Sequence, residues 1–344
     1  MSAMRSQGWR ARGVAALALL ALASARAAAQ PGSTLSMRGA TGASEARLGW
    51  YLVIVSLVVI VVMAALVLAA ALRGRRRRPG DEHAIAAEGS GLSWVMVGGV
   101  LVPAVILTAT FLFTVLTLDA VAAPPRAPAA TVRVVGHRWW WEVHYPGRSP
   151  ADEAVTANEI HIPVGEPVRV ELASADLIHS FWVPQLGGKT DAIPGQTNVT
   201  WMEAREPGVY YGRCGEYCGS QHAHMQLRVV AESPQAFRAW VAAQRQPAPP
   251  PATAAAGSGE RAFMTIGCSL CHTIRGTPAG GAVGPDLTHL MSRRTIAGGT
   301  LPNTKATLAG WVTDAQALKP GSLMPTMAPG AQLVPLLSYL QTLR

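Results

Sequence analysis

Charge is scarce in this sequence. Only 14% of its 344 residues are Asp, Glu, Lys or Arg, against about 25% in an average soluble protein. Yet 49% are hydrophobic and the mean hydropathy is +0.22. A chain disordered throughout is therefore excluded, since disorder needs low hydrophobicity and high charge. Cysteine is scarce too. There are four, and none lies near residue 30, so a lipid anchor is not expected there. The length suggests two to three domains of roughly 100–200 residues each.

Two stretches lack charge altogether: Leu48 to Leu72, 25 residues, and Gly91 to Leu118, 28 residues. At about 1.5 Å of rise per residue, a helix of either length spans a bilayer. Trp50, Tyr51 and Trp94 stand near their starts, where an aromatic belt belongs. Pro103 predicts a kink in the second. The 18 residues between the runs hold Arg73 and Arg75 to Arg78, five arginines in all, which marks that loop as cytoplasmic. Everything after Leu118 is then expected outside. Residues 1–29 agree with this topology. Arg5, Arg10 and Arg12 precede an apolar Val14–Ala23 and a small-residue site at Ala27-Ala28-Ala29, the pattern of a secretory signal peptide. The net charge of +9 divides the same way: residues 1–126 carry twelve arginines and five acids, residues 127–257 ten basic and twelve acidic groups. The excess is a topology signal, and no nucleic-acid partner is expected.

From Thr131 to Ala231 the pattern turns to short β-rich runs. Thr131–Val135, Glu159–Ile162, Val168–Leu172, Asn198–Met202, Val209–Tyr211 and Gln226–Val230 are separated by Pro163–Gly165, Gly187–Gly188, Pro194–Gly195 and Pro207–Gly208. That spacing predicts a sandwich or barrel. Within it, Cys214-Gly-Glu-Tyr-Cys218-Gly-Ser-Gln-His222-Ala-His-Met225 gathers two thiols, imidazole and a thioether in twelve residues. Soft ligands of this kind select copper. A second Cys allows two thiolates to bridge two metals. One more imidazole is then needed, and His179 in Asp176-Leu-Ile-His179 is the best candidate. The alternatives are a Cys214–Cys218 disulfide, which leaves His222 and Met225 unexplained, and a zinc site, in which Met is out of place.

This segment resembles the copper-A loop of cytochrome c oxidase subunit II, C-x-E-x-C-x-x-x-H-x-x-M. The resemblance covers roughly residues 45–231 and implies a cupredoxin-like β-barrel behind a two-helix transmembrane hairpin. It implies that Cys214 and Cys218 bridge two coppers, with His179 and His222 as terminal ligands and Met225 as a weak one. Glu216 would bind copper through its main-chain carbonyl and turn its carboxylate to a magnesium ion shared with subunit I. His137-Arg-Trp139-Trp140-Trp141-Glu142 resembles the family's aromatic patch, which makes Trp139 the residue that first receives electrons. Lys189-Thr-Asp-Ala-Ile-Pro194-Gly195-Gln-Thr-Asn198 also resembles a family stretch. The chain departs from the family at Gly91, where a Glu often precedes the Trp of the second span. Glu88 and Glu82 are the nearest acids.

Residues 246–257 form a Pro/Ala-rich, uncharged linker, read as a semi-extended tether. Pro234 to Arg245 before it reads as a short helix. Then comes Cys268-Ser-Leu-Cys271-His272, the c-type haem attachment signature. Two thiols form thioethers while the adjacent His binds iron. A sixth ligand is needed for electron transfer, and Met with His raises the potential. Lys319-Pro-Gly-Ser-Leu-Met324 supplies one, with Met327 as its rival. The region resembles a small class I cytochrome c, all-α, with Gly284-Pro285 after the attachment site and a C-terminal helix from Gln332 to Leu343. In that family the proline carbonyl holds the proximal His. With both cysteine pairs assigned, none is left for a structural disulfide.

The expected order is signal peptide 1–29, transmembrane hairpin 30–123, cupredoxin-like copper-A domain 124–245, linker 246–257 and cytochrome c domain 258–344. The resemblance implies subunit II of a haem-copper oxidase in a bacterial-type inner membrane, with both cofactor domains periplasmic. Electrons would come from a soluble cytochrome c or a bc-type complex, pass through haem c and copper A, and reach subunit I. There oxygen is reduced to water and protons are translocated. Subunit I, other oxidase subunits and membrane lipid are the expected partners. The second reading is a membrane-anchored copper and haem protein for electron transfer or redox sensing outside an oxidase. The tether is expected to hold the two cofactors at high effective concentration, so that greatly lengthening it slows transfer.

Overall fold

The computed structural model describes residues 37–75 and 90–344. The expected signal peptide, the arginines at 76–78, and Glu82 and Glu88 lie outside those residues. The described residues form two compact units, one of Ala43–Ala123 and one of Pro124–Arg344 together with residues 37–42.

The first unit is built from two apolar helical stretches, each long and apolar enough to cross a membrane. Helix α1 runs Ala40–Arg75. The second stretch opens with α2 (Ser90–Trp94), passes through a π-helical segment Val95–Leu101, and continues as α3 (Val102–Ala122). The irregularity expected at Pro103 takes this form. The wider π turn ends just before the proline, which then sits in the first turn of α3, where its missing N–H costs nothing. Tyr51 ties the two stretches together. Its ring meets Phe113 edge-on at 5.2 Å and its hydroxyl lies 3.2 Å from that of Thr110.

The β region has ten strands in two five-stranded sheets, ordered β3-β2-β1-β5-β8 and β4-β10-β9-β6-β7. The strands are β1 (Ala130–His137), β2 (Trp140–Tyr145), β3 (Ala154–Ala157), β4 (Glu159–Pro163) and β5 (Val168–Ser174). They continue as β6 (His179–Trp182), β7 (Thr190–Ala192), β8 (Asn198–Met202), β9 (Gly208–Cys214) and β10 (Gln226–Glu232). Alternation decides which residues face inward. Val132 and Val134 on β1, and Val168, Val170 and Leu172 on β5, are fully buried, as period-2 side chains on one face must be. Each large side chain buried this way contributes about 1.5–3 kcal/mol. The expected barrel is realised as two sheets closing on this shared core. Strands β1 and β5, and β10 and β4, pair in parallel, and the other pairings are antiparallel.

Helix α4 (Pro234–Gln244) follows, N-capped by the Ser233 hydroxyl, which accepts from Ala236 N. Helix α5 (Ala254–Thr265), capped by Thr253, starts inside the stretch read as a linker. The Pro-rich residues before it are not free: Ala248 N donates to Arg275 O at 2.9 Å. After the C-x-x-C-H segment come the two-residue strands β11 (Thr295–Ile296) and β12 (Leu301–Pro302), then α6 (Lys305–Thr313), α7 (Ala315–Leu318) and α8 (Leu333–Leu340). The small hairpin is an addition to the all-α expectation. Helices α5 and α8 cross over a core of Phe263, Leu336, Leu340 and Leu343.

The crossing depends on Gly259. A Cβ there would press into the Pro335 carbonyl and lie 2.7 Å from Tyr339 Cβ. Two residues earlier, Gly257 has only the tip of Arg261 nearby, at 3.8 Å. Gly259→Ala is expected to destabilise this C-terminal region by about 1–3 kcal/mol through overpacking. Gly257→Ala should stabilise it by about 0.5–1 kcal/mol through helix propensity. Thermal unfolding of the two variants checks the opposite signs.

Candidate functional site: two redox-type centres around one tryptophan

The thiol cluster forms where β9 ends and β10 begins. Cys214 is the last residue of β9, and its N–H donates to Met225 O at 2.9 Å, which closes the loop on itself. Gly215 N donates to Ser180 O at 2.8 Å and fixes the loop against β6. His179, the first residue of β6, is thereby set beside Cys214. Its ring is fully buried, and there is room for it because the opposite residue on β1 is Gly136, where a Cβ would come within 2.6 Å of His179 Cδ2.

The donor atoms converge. Cys214 Sγ and Cys218 Sγ are 3.8 Å apart, His179 Nδ1 is 3.9 Å from Cys214 Sγ, and His222 Nδ1 is 3.6 Å from Cys218 Sγ. Met225 Sδ lies 3.9 Å from Cys218 Sγ, and the Glu216 carbonyl 3.2 Å from Cys214 Sγ. The ligand atoms of His179, Cys214 and Cys218 all lie within 4.8 Å of one another. His224, the other imidazole of the loop, pairs instead with Gln221 Oε1 at 2.6 Å. His137, His144 and His161 are engaged with Glu142, Glu153, Glu159 and Glu232.

The electrostatics suit soft-metal ligation. The Cys214 thiol is pushed down to about 3, first by the hydrogen bond from Cys218 and then by that to His179. Cys218 is pushed up because it shares its proton with that thiolate. His179 Nε2–H donates to Asp176 Oδ1 at 2.8 Å. This fixes the tautomer and presents Nδ1 to the sulfurs, the usual device of a metal-bound imidazole. Burial pushes His179 down, but its bonds to Cys214 and Asp176 outweigh that and hold it above its ordinary value. Sequence reasoning did not single out Asp176, although its spacing of three residues before His179 was in view.

The second centre is a cavity of about 390 Å³. Cys268, Cys271 and His272 line it, as do Met324 and Met327. His272 Nδ1–H donates to Pro285 O at 2.7 Å, so Nε2 is the nitrogen left for a metal. Burial holds the His272 pKa below its ordinary value. Gly284 leaves space for the ring; a Cβ there would reach 2.5 Å from Cε1. Gln316 Nε2 donates to Met324 O at 2.6 Å and steadies the methionine loop. The lining is mostly apolar, but it includes the buried Arg293, and the Thr295 hydroxyl has no partner among the described residues. An apolar macrocycle with an anionic edge fits such a lining.

Trp139 belongs to both centres. Its Nε1–H donates to Cys218 O at 2.8 Å, and the same residue lines the cavity. Gly219 gives it room, since a Cβ at that position, where φ is +112°, would stand 3.0 Å from Trp139 Cζ2. Lys319 also lines the cavity, and burial pushes its ammonium down to about 7. Its charge lies among backbone carbonyls; sequence reasoning saw it only as part of the methionine motif.

Two family models match this chain. "Cytochrome C oxidase subunit II, periplasmic domain" covers residues 130–233, and "Cytochrome c" covers residues 256–344. Cytochrome c oxidase subunit 2 of Alkalihalophilus pseudofirmus is 36% identical over 282 residues, 78% of this chain and 78% of that one. The subunit 2 of Bacillus sp. strain PS3 is 29% identical over 265 residues, 72% of this chain and 73% of that one. The crystal structure of the periplasmic domain of subunit II (CoxB) of Bradyrhizobium japonicum is 31% identical, covering 35% of this chain and 96% of that one, with a TM-score of 0.33. Identity of more than a third, sustained over more than three quarters of both sequences, is inheritance: this chain belongs to the cytochrome c oxidase subunit 2 family.

Proposed function

We propose that this chain relays electrons through a single indole, Trp139, placed between a haem c site and a copper-A site. The chain is a subunit of a haem-copper oxidase, membrane-anchored with periplasmic domains, and partners subunit I. Its family implies copper A in the β region and haem in the cytochrome c region. When bound, these groups supply one-electron chemistry, and the complex uses it to reduce oxygen to water with proton translocation. Family membership settles the choice against a redox protein outside an oxidase.

One observation carries the residue assignment: Trp139 lines the cavity and donates its N–H to the backbone of Cys218. Cys214 and Cys218 would hold the two coppers between them, with His179 and His222 offering Nδ1. Met225 and the Glu216 carbonyl complete the set. The Glu216 side chain is the group to turn toward a magnesium ion at the subunit I face. Cys268 and Cys271 would attach the haem, His272 would hold its iron through Nε2, and Met324 would serve as the second iron ligand. The domain limits are those read from the sequence, save that α5 opens the cytochrome region inside the stretch read as linker, with a bacterial-type inner membrane and, as donor, a soluble cytochrome c or a bc-type complex.

Three outcomes are expected. In the purified oxidase, electron paramagnetic resonance of oxidised copper A should show one electron shared over two equivalent nuclei. The hyperfine pattern of a single copper would sink the bridging assignment. Asp176→Asn should lower copper affinity about 10–100-fold, because it removes the partner that orients His179; competition with a copper chelator measures it. Met324→Leu should abolish the methionine–iron absorption band and lower the haem potential, whereas Met327→Leu should leave both intact.

A further inference from the structure

The side of Trp139 away from Cys218 is held by a residue from the cytochrome region. Lys319 follows α7, five residues before Met324, and is 3% exposed. Its ammonium has three protons, and each finds a carbonyl. Lys319 Nζ donates to Trp139 O at 2.7 Å, to His224 O at 2.9 Å and to Ala297 O at 3.0 Å. Those acceptors belong to the aromatic patch, the end of the copper loop, and the turn between β11 and β12. No carboxylate pairs with it among the described residues. An ammonium has three donors and no acceptor, so this cradle satisfies it completely, and it joins four segments far apart in sequence.

The β11–β12 turn repeats the pattern with its backbone. Gly298 O accepts from Gln226 N at 2.8 Å, Gly299 O from Arg228 at 3.3 Å, and the Thr300 hydroxyl donates to His224 O at 3.0 Å. Gly298 and Gly299 have φ of +70° and +79°, the left-handed region in which glycine is favoured. The approach also needs the missing side chains: a Cβ on Gly298 would lie 2.5 Å from Trp139 O, and one on Gly299 2.8 Å from Gln226 O. Gln221 adds a bond to Pro320 O at 2.9 Å. These are close, directional contacts rather than a loose charge attraction.

We infer that Lys319, with the Gly298-Gly299 turn, is a clamp that positions Trp139 between the two centres and keeps the cytochrome region seated on the copper region. This rests on the reading of Trp139 as the electron bridge. The clamp makes Lys319 a positioning residue: it touches neither cofactor's ligands, and it acts through the Trp139 and His224 carbonyls. It also reverses the expectation for the linker. With the clamp closed, the approach of the two centres is set by these bonds and not by tether length.

The test uses the intact oxidase carrying Lys319→Met. Haem c is reduced by a laser-triggered photoreductant, and its reoxidation by copper A is followed optically. Transfer should slow about tenfold or more at matched driving force, as for other small misplacements of reacting groups. The Gln226 amide, bonded to Gly298 O, should lose protection against hydrogen exchange. An unchanged rate with unchanged protection overturns the proposal. Gly298→Ala attacks the same clamp from the other side and should slow transfer in the same way, which decides the matter if Lys319→Met does not assemble. Lengthening the linker in the otherwise native chain should leave the rate unchanged; a slowed rate overturns the clamp. Trp139→Phe separates the two readings. If it has no effect, the Trp139 route fails and the positioning role with it. If it slows transfer while Lys319→Met does not, only the positioning role fails.

Discussion

The hydrogen bond from the Trp139 indole to the Cys218 carbonyl, 2.8 Å long, is the constraint around which both centres are arranged. A buried indole N–H must find an acceptor or cost about 1–3 kcal/mol. Here the acceptor is the backbone of a thiol that sits at the centre of the sulfur cluster. That bond fixes one edge of the ring, and the residue also lines the neighbouring cavity. Gly219 supplies the clearance beside the ring, and Gly298 that beside the Trp139 carbonyl.

Around this bond, the imidazoles that face the two centres each have a second ring nitrogen committed to a fixed partner. His179 has Asp176 on one nitrogen and Cys214 on the other. His272 has Pro285 O. In both, one ring nitrogen is committed to a fixed acceptor and the other is directed to the place where a metal belongs. The two imidazoles arrive by different routes, one on a strand of a sandwich and one on a helical turn, yet the physical device is the same. Arg293 extends it to the region between the centres, where its Nε donates to Thr156 at 3.1 Å.

Much of this was legible in the sequence because the chemistry is local. Cys214, Cys218, His222 and Met225 lie within one loop, and Cys268, Cys271 and His272 within one turn, so spacing alone grouped them. The apolar runs at 48–72 and 91–118 were legible for the same reason. Strands β2 and β6 were not read as strands. Trp140–Tyr145 places a charge and a histidine among its aromatics, and His179–Trp182 is only four residues long. Their burial comes from the opposite sheet, which no local pattern carries. Lys319 was illegible for a stronger reason. Its partners are 180, 95 and 22 residues away, and a lysine next to Pro-Gly has no feature that marks it as buried.

The cavity beside Trp139 draws its wall from Arg138, Trp139 and Trp140 as well as from the cytochrome region. A covalent ligand that fills a space bounded by two regions is in thermodynamic linkage with their association: whatever binds only the assembled form stabilises it. Maturation and seating are therefore linked in this chain: a haem attached in that cavity would shift the population toward the seated form. A molecule that misses either step would leave the wall formed by Arg138, Trp139 and Trp140 uncovered, a feature by which unfinished copies differ from finished ones.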